Sequence, residues 1–94
     1  MTLETTSKFD RDYKLIRKRG LPTGELDAAV GILLSGSPLP PRYRDHAISG
    51  TYAGCRECHI RSDWLLIYKI VDNRLRLILT RTGTHSDLFG KTRR

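Results

Sequence analysis

Two β-rich runs joined by a turn signal, "DWLLIYKIV" and "RLRLILTR" either side of Asp72-Asn73, constrain the fold of these 94 residues more than any other feature. Aliphatic and aromatic side chains at alternate positions suit a pleated, half-buried surface. Alternation sets Trp64, Leu66, Tyr68 and Ile70 on one side of the first run, and Leu75, Leu77 and Leu79 on one side of the second. A turn centred on Asp72-Asn73 pairs Ile70 with Leu75 and Leu66 with Leu79, so both rows share one core face. The opposite face, carrying Asp63, Lys69 and Arg76, is expected to stay wet. "GCRECHI" reads as a further strand before the turn-prone "RS".

That core face needs a cover, and the first third of the chain supplies one. In "SKFDRDYKLIRKRG", Phe9, Tyr13 and Ile16 recur at helical spacing, with Ser7 as N-cap, Asp10 completing a capping box and Gly20 as the stop. The opposite face, with Lys8, Arg11, Lys14 and Lys18, is basic. "LPTGELDAAVGILLSG" repeats the pattern through Leu26, Ala29, Val30, Leu33 and Leu34, capped by Thr23 and ended by Gly36. The expected fold is therefore α+β: two N-terminal helices on one face of a small antiparallel sheet. One domain spans residues 1–94, with a helical hairpin over about 7–36, a loop over about 37–50, and the sheet with its C-terminal loop over about 51–90.

The loop "SGSPLPPRYRDHAISG" is rich in Pro and Gly, and so long an irregular stretch in a small domain is usually functional. It holds Arg42, Arg44, Asp45 and His46. Downstream, "CRECH" has the spacing of covalent haem attachment, but strand alternation sends Cys55, Glu57 and His59 to one face and Arg56, Cys58 and Ile60 to the other. Sulfurs pointing apart suit neither haem nor zinc, and no second Cys pair is present. No metal or cofactor is expected, and the thiols should be free. No apolar run approaches the ~20 residues of a membrane span, and no secretory leader is legible, so a cytoplasmic protein is expected.

Seventeen Lys and Arg against ten Asp and Glu give a net charge of +7, which suits a polyanionic partner. Three histidines occur in polar settings, "RDHA", "ECHIRSDW" and "RTGTHSDLF". Imidazoles with a carboxylate and arginines are what RNA phosphodiester cleavage requires: a base for the 2′-OH, cations for the crowded phosphorus and an acid for the leaving oxygen. In "TRTGTHSDLFG", Thr84 and Asp87 form a capping box that puts His85 at the first helical position, where free N–H groups favour a phosphate. Phe89 can stack on a base or pack the C-terminus.

The blocks "YRDH", "CHIRSDWLLIY" and "RTGTHSDLFG" resemble the YafQ-type mRNA interferases, toxins of the RelE/ParE superfamily in bacterial toxin–antitoxin systems, and the likeness runs over nearly the whole chain. It implies a microbial-ribonuclease-like fold and metal-independent cutting of mRNA on the ribosome. It also implies active-site residues His46, His59, Asp63 and His85, with Arg81, Phe89 and Trp64 at the substrate. The implied partners are the 70S ribosome with its mRNA and a DinJ-like antitoxin, a dimeric DNA-binding protein, in a heterotetramer. His85 is expected as general acid, Asp63 or His59 as base, and His46 with Arg81 on the phosphate. A three-residue connection over 60–62 would turn His59 and Asp63 to one site, and Arg81 would need a bulge or frayed end to join them. The other reading of the same residues is a non-catalytic basic module that binds RNA or protein.

Overall fold

The computed structural model describes residues 1–90; residues 91–94, the end of the expected domain, lie outside the described residues. Strand β1 (Thr2–Thr5) leads into helices α1 (Ser7–Lys18) and α2 (Thr23–Leu34). A short strand β2 (His46–Ala47) follows the loop, then β3 (Arg56–Arg61), β4 (Trp64–Val71), β5 (Arg76–Gly83) and helix α3 (His85–Phe89). The five strands form one sheet in the order β1-β5-β4-β3-β2. It is mixed rather than wholly antiparallel, because "TLET" pairs parallel to β5, Thr2 with Arg76 through Thr5 with Leu79. Four residues without an apolar rhythm hold no strand signal of their own; the edge of β5 recruits them.

The β4–β5 hairpin closes through Asp72–Leu75, four residues instead of two. Asp72, Asn73 and Arg74 all take positive φ (57°, 57° and 68°), a conformation short polar side chains tolerate best. Val71 then faces Arg76, Ile70 faces Leu77 and Tyr68 faces Leu79. The expected register is thus displaced by two residues, which keeps every side chain on its face. Leu75 is the exception: it sits in the turn, 59% exposed.

The main core lies between the sheet and the helices. Phe9 and Ile16 of α1 and Leu26, Ala29, Val30 and Leu33 of α2 pack on Cys58, Ile60, Trp64, Leu66, Tyr68, Leu77 and Leu79. The N-cap of α1 is Thr6, whose hydroxyl accepts from the Phe9 N–H at 3.0 Å, one residue before the expected Ser7. Thr23 is the first residue of α2 and its N-cap is Pro22. The helices give way to Gly20 and Gly36, both at left-handed φ (82° and 80°), as the sequence leads one to expect.

The far face of the sheet is wet only in part: Asp63 is exposed and Lys69 and Arg76 are half-buried, as expected, but its middle is covered. Leu65 and Ile67 are fully buried there in a second cluster with Cys55 and Leu88, flanked by Ile48 and Tyr52. The loop after β2 and helix α3 cover it. Cys55 and Cys58 belong to the two different clusters, on opposite faces, and both thiols are free. Burial pushes the Cys58 thiol up to about 12, so it stays protonated and inert. Among the described residues no helix is long and apolar enough to cross a membrane.

Candidate active site

The register of the sheet sets out a site on this second face. Residues paired across strands share a face, so His46, Glu57, Ile67 and Arg81 form one row, and His59, Leu65 and Gly83 the next. Two bulges make the rows possible. Thr80 is skipped in the β4–β5 ladder, which passes from Tyr68–Leu79 to Ile67–Arg81. Without that bulge Arg81 would oppose Leu66 and point at the helices. In the β3–β4 ladder Ile60 is skipped, between His59–Leu65 and Arg61–Trp64. The turn is then the pair Ser62-Asp63, neither the three-residue connection expected nor a His59–Trp64 pairing. The bulge lets Ile60 and Trp64 both bury toward the helices while His59 stays on the opposite face.

The three imidazoles lie along this face. Ring centroids of His46 and His59 are 6.3 Å apart, and those of His59 and His85 6.1 Å apart. The loop carrying His46 is pinned through its neighbour Asp45, which accepts from Arg56 Nη2 at 3.1 Å and from the Tyr68 hydroxyl. His46 Nδ1 lies 2.7 Å from the Arg44 carbonyl and His59 Nδ1 3.3 Å from the Ser62 carbonyl. A carbonyl can only accept, so in both rings Nδ1 carries the hydrogen and Nε2 is the working nitrogen. Both Nε2 atoms meet one carboxylate oxygen of Glu57, at 3.4 Å for His46 and 3.8 Å for His59. Glu57 is only 6% exposed, and its ion-pairing neighbours among the described residues are these two rings. Each contact becomes an ion pair when the ring takes its second proton.

His85 is placed by its own device. Thr84 caps α3, accepting from the Asp87 N–H at 3.1 Å while the Asp87 carboxylate accepts from the Thr84 N–H at 2.9 Å, which is the capping box expected. Arg19, at the end of α1, holds Asp87 through a bidentate pair at 2.7 and 3.2 Å and draws its carboxyl down to about 2. Gly83 is required beside it: at φ 156°, an added Cβ would lie 2.9 Å from Asp87 Cβ and Oδ2. Asp63 Oδ1 accepts from the His85 backbone N–H at 2.9 Å and from its Nδ1 at 2.6 Å. These bonds, the backbone one first, hold the Asp63 carboxyl below its usual range. The N–H expected to greet a phosphate is therefore already used, and Asp63 is spent on orienting His85 with Nε2 outward.

Arg81 reaches the same face and is itself clamped. Nε and Nη2 donate to the two oxygens of Asp12 in α1, at 2.6 and 3.1 Å, and Nη1 donates to the Tyr52 hydroxyl at 2.9 Å. The Asp12 hydrogen bonds raise its pKa still further, so it is a permanent cation. The Tyr52 ring meets Phe89 edge-on at 6.0 Å, and Phe89, 43% exposed, lies 6.5 Å from His85.

Trp64 does not reach the site. It is 2% exposed in the helix-side core, where Nε1 donates to Thr82 Oγ1 at 3.0 Å. Its parity in β4 is that of Leu66 and Tyr68, so the strand that brings His59 to the site turns Trp64 away. Three residues of the site were not foreseen: Glu57, Tyr52 and Asp12. Glu57 had a usable signal, since Glu-x-His on a strand puts both side chains on one face. Tyr52 and Asp12 come from a loop and a helix and carry none.

Three imidazoles, two with Nε2 beside a buried carboxylate and one paired to Asp63 through Nδ1, can take and return protons beside a fixed guanidinium. Among the described residues no three His, Cys, Asp or Glu side chains converge on a metal-holding geometry. Residues 1–90 match the family described as the YafQ bacterial toxin of type II toxin–antitoxin systems. The chain is 39% identical to the mRNA interferase toxin YafQ of Escherichia coli K12 over 89 residues, covering 94% of this chain and 95% of that one. Among solved structures, it resembles the E. coli DinJ–YafQ complex with a TM-score of 0.86 and 38% identity, covering 95% of this chain and 98% of that one. It also resembles a metal-bound toxin from Helicobacter pylori, with a TM-score of 0.87 and 43% identity, covering 95% of this chain and 99% of that one.

Proposed function

The chain belongs to the YafQ family of toxins of bacterial type II toxin–antitoxin systems, and on that premise we propose that it is an mRNA interferase cutting translated mRNA on the ribosome by metal-independent general acid–base chemistry. The observation that carries this reading is the alignment of His46, His59 and His85 at successive spacings of 6.3 and 6.1 Å on one sheet face. His59 Nε2 takes the proton of the ribose 2′-OH, and the resulting imidazolium is balanced by Glu57. The 2′-oxygen attacks phosphorus, the P–O5′ bond breaks, and His85 Nε2 gives its proton to the departing 5′-oxygen. The products are a 2′,3′-cyclic phosphate and a free 5′-hydroxyl. Since Asp63 is committed to His85, His59 is the better base of the two expected. Arg81 and His46 hold the phosphate, and Phe89 offers its exposed ring to a base. An acid or base of this kind contributes a factor of ~10²–10⁴ in rate.

The partner is a DinJ-like antitoxin, a DNA-binding dimer that neutralises two toxin copies in a heterotetramer, and the setting is the cytoplasm. The DinJ complex of the E. coli relative and the net charge of +7 support this assignment. The test is expression without antitoxin, with mRNA 5′ ends mapped, and cleavage by purified protein on programmed ribosomes in EDTA. Codon-phased cuts that disappear in His85→Ala, with an unchanged melting curve, are expected. Intact mRNA under the wild-type protein would leave a basic binding module instead.

A further inference from the structure

We propose that Asp12, on helix α1, is a positioning residue that aims the Arg81 guanidinium at the scissile phosphate. The inference rests on the ribonuclease reading above and adds a component from outside the catalytic face. α1 turns Lys8, Arg11, Lys14 and Lys18 to solvent, yet Asp12 turns inward, with its side chain 14% and that of Arg81 17% exposed.

The geometry explains why a carboxylate is needed there. β1 ends with Thr5 opposite Leu79, so from Thr80 onward β5 has no strand on that edge. The start of α1 takes over: Thr6 donates its N–H to the Leu79 carbonyl at 3.1 Å and its hydroxyl to the Thr80 carbonyl at 2.7 Å. Asp12 serves the next group along, accepting the Thr82 N–H at 3.1 Å on the oxygen that also takes Arg81 Nε at 2.6 Å. One carboxylate therefore closes the open edge beside the Thr80 bulge and clamps the side chain that the bulge brings onto the catalytic face. With Nη1 on the Tyr52 hydroxyl, three of the guanidinium's five N–H groups are engaged. The remaining donors belong to a group that has already lost its rotamer freedom, so meeting a phosphate costs it little further ordering. The alternative, that Arg81 acts only through its charge, makes the opposite forecast, because Asp12 offsets that charge.

The experiment is single-turnover cleavage of mRNA on programmed ribosomes by full-length wild type, Asp12→Asn, Asp12→Glu, Arg81→Ala and the double variant Asp12→Asn/Arg81→Ala. Misplacement of a substrate-holding group costs on the order of 10²-fold, so Asp12→Asn is expected to slow cleavage about 10- to 100-fold. The half-saturating toxin concentration should stay within about threefold, as for loss of an interaction made mainly in the transition state. In the Arg81→Ala background Asp12→Asn should change the rate by less than about twofold, since both act through one group. Asp12→Glu should recover part of the loss. A rate for Asp12→Asn equal to or above wild type overturns the proposal in favour of bare charge. Losses that multiply in the double variant also overturn it, marking Asp12 as purely structural. Should Asp12→Asn fail to fold, Asp12→Glu decides: it keeps charge and acceptors but displaces them by one methylene, and an undiminished rate ends the idea. A wild-type protein that leaves mRNA uncut removes the ribonuclease reading itself, a result separate from any Asp12 comparison.

Discussion

A buried carboxylate facing two imidazoles is the least ordinary residue-scale feature. Glu57 could gain stability by being neutral, since burying a charge costs more than burying an amide. On the proposed mechanism its place between His46 Nε2 and His59 Nε2, at 3.4 and 3.8 Å, lets it pair with a ring that has taken a proton from substrate. Glu57→Gln is therefore expected to melt at or above the wild-type temperature while cleaving about 10- to 100-fold more slowly, a part of the ~10²–10⁴ a general base supplies. Thermal melts beside single-turnover rates check both halves, and a full cleavage rate would remove Glu57 from the mechanism. Asp63 plays a different part on the other ring. Its carboxylate accepts from the His85 N–H and Nδ1, which fixes the tautomer of that ring, and the same bonds hold it below its usual range.

Among the elements, α3 is too short to hold itself. Five residues cannot offset the cost of helix nucleation. Its order comes from the capping box and from Arg19, which ties Asp87 to the end of α1. The Asp87 carboxyl is lowered from its ordinary value to about 2, chiefly by Arg19. A depressed carboxyl contributes stability above the unfolded-state pKa and loses it as pH falls through the folded one. Asp87→Asn should thus be less stable than wild type by a constant amount from pH 5 to 8, about 0.5–2 kcal/mol as for a lost cap, with solvent screening of the half-exposed pair favouring the low end. The difference should close between about pH 4 and pH 2. Urea midpoints at pH 7 and pH 3 measure it; a difference that persists undiminished at the lower pH limit would assign the loss to packing. The same variant should slow cleavage, because His85 rides on this helix.

At the scale of the whole molecule, the main core and the candidate site lie on opposite faces of one sheet, the helices on the one and the imidazole rows on the other. Leu26, fully buried between α2 and the sheet, can be emptied without touching the site. Leu26→Ala is expected to cost about 2–5 kcal/mol through lost transfer energy and the residual cavity. Cleavage at a temperature where the variant remains folded should stay within about twofold of wild type, as effects at distant sites are independent. Parallel urea unfolding and cleavage assays test this, and a rate that falls with stability would mean the two faces are coupled.

Read alone, the sequence determined what depends on neighbours along the chain. Phe9 and Ile16, and Leu26 through Leu33, carry a helical period; β4 and β5 carry a period of two; and Thr84-Asp87 states its capping box in four letters. Strand parity alone was enough to separate Cys55 from Cys58. Only the tertiary structure decided the parallel β1, the two-residue shift of the hairpin, and the bulges at Ile60 and Thr80. It also decided that Trp64 belongs to the core, and that Asp12, Tyr52 and Glu57 join the site. The physical reason is common to all of these. A bulge or an edge pairing is chosen by the total burial and hydrogen bonding of segments far apart in sequence, and no local window contains both sides of that balance.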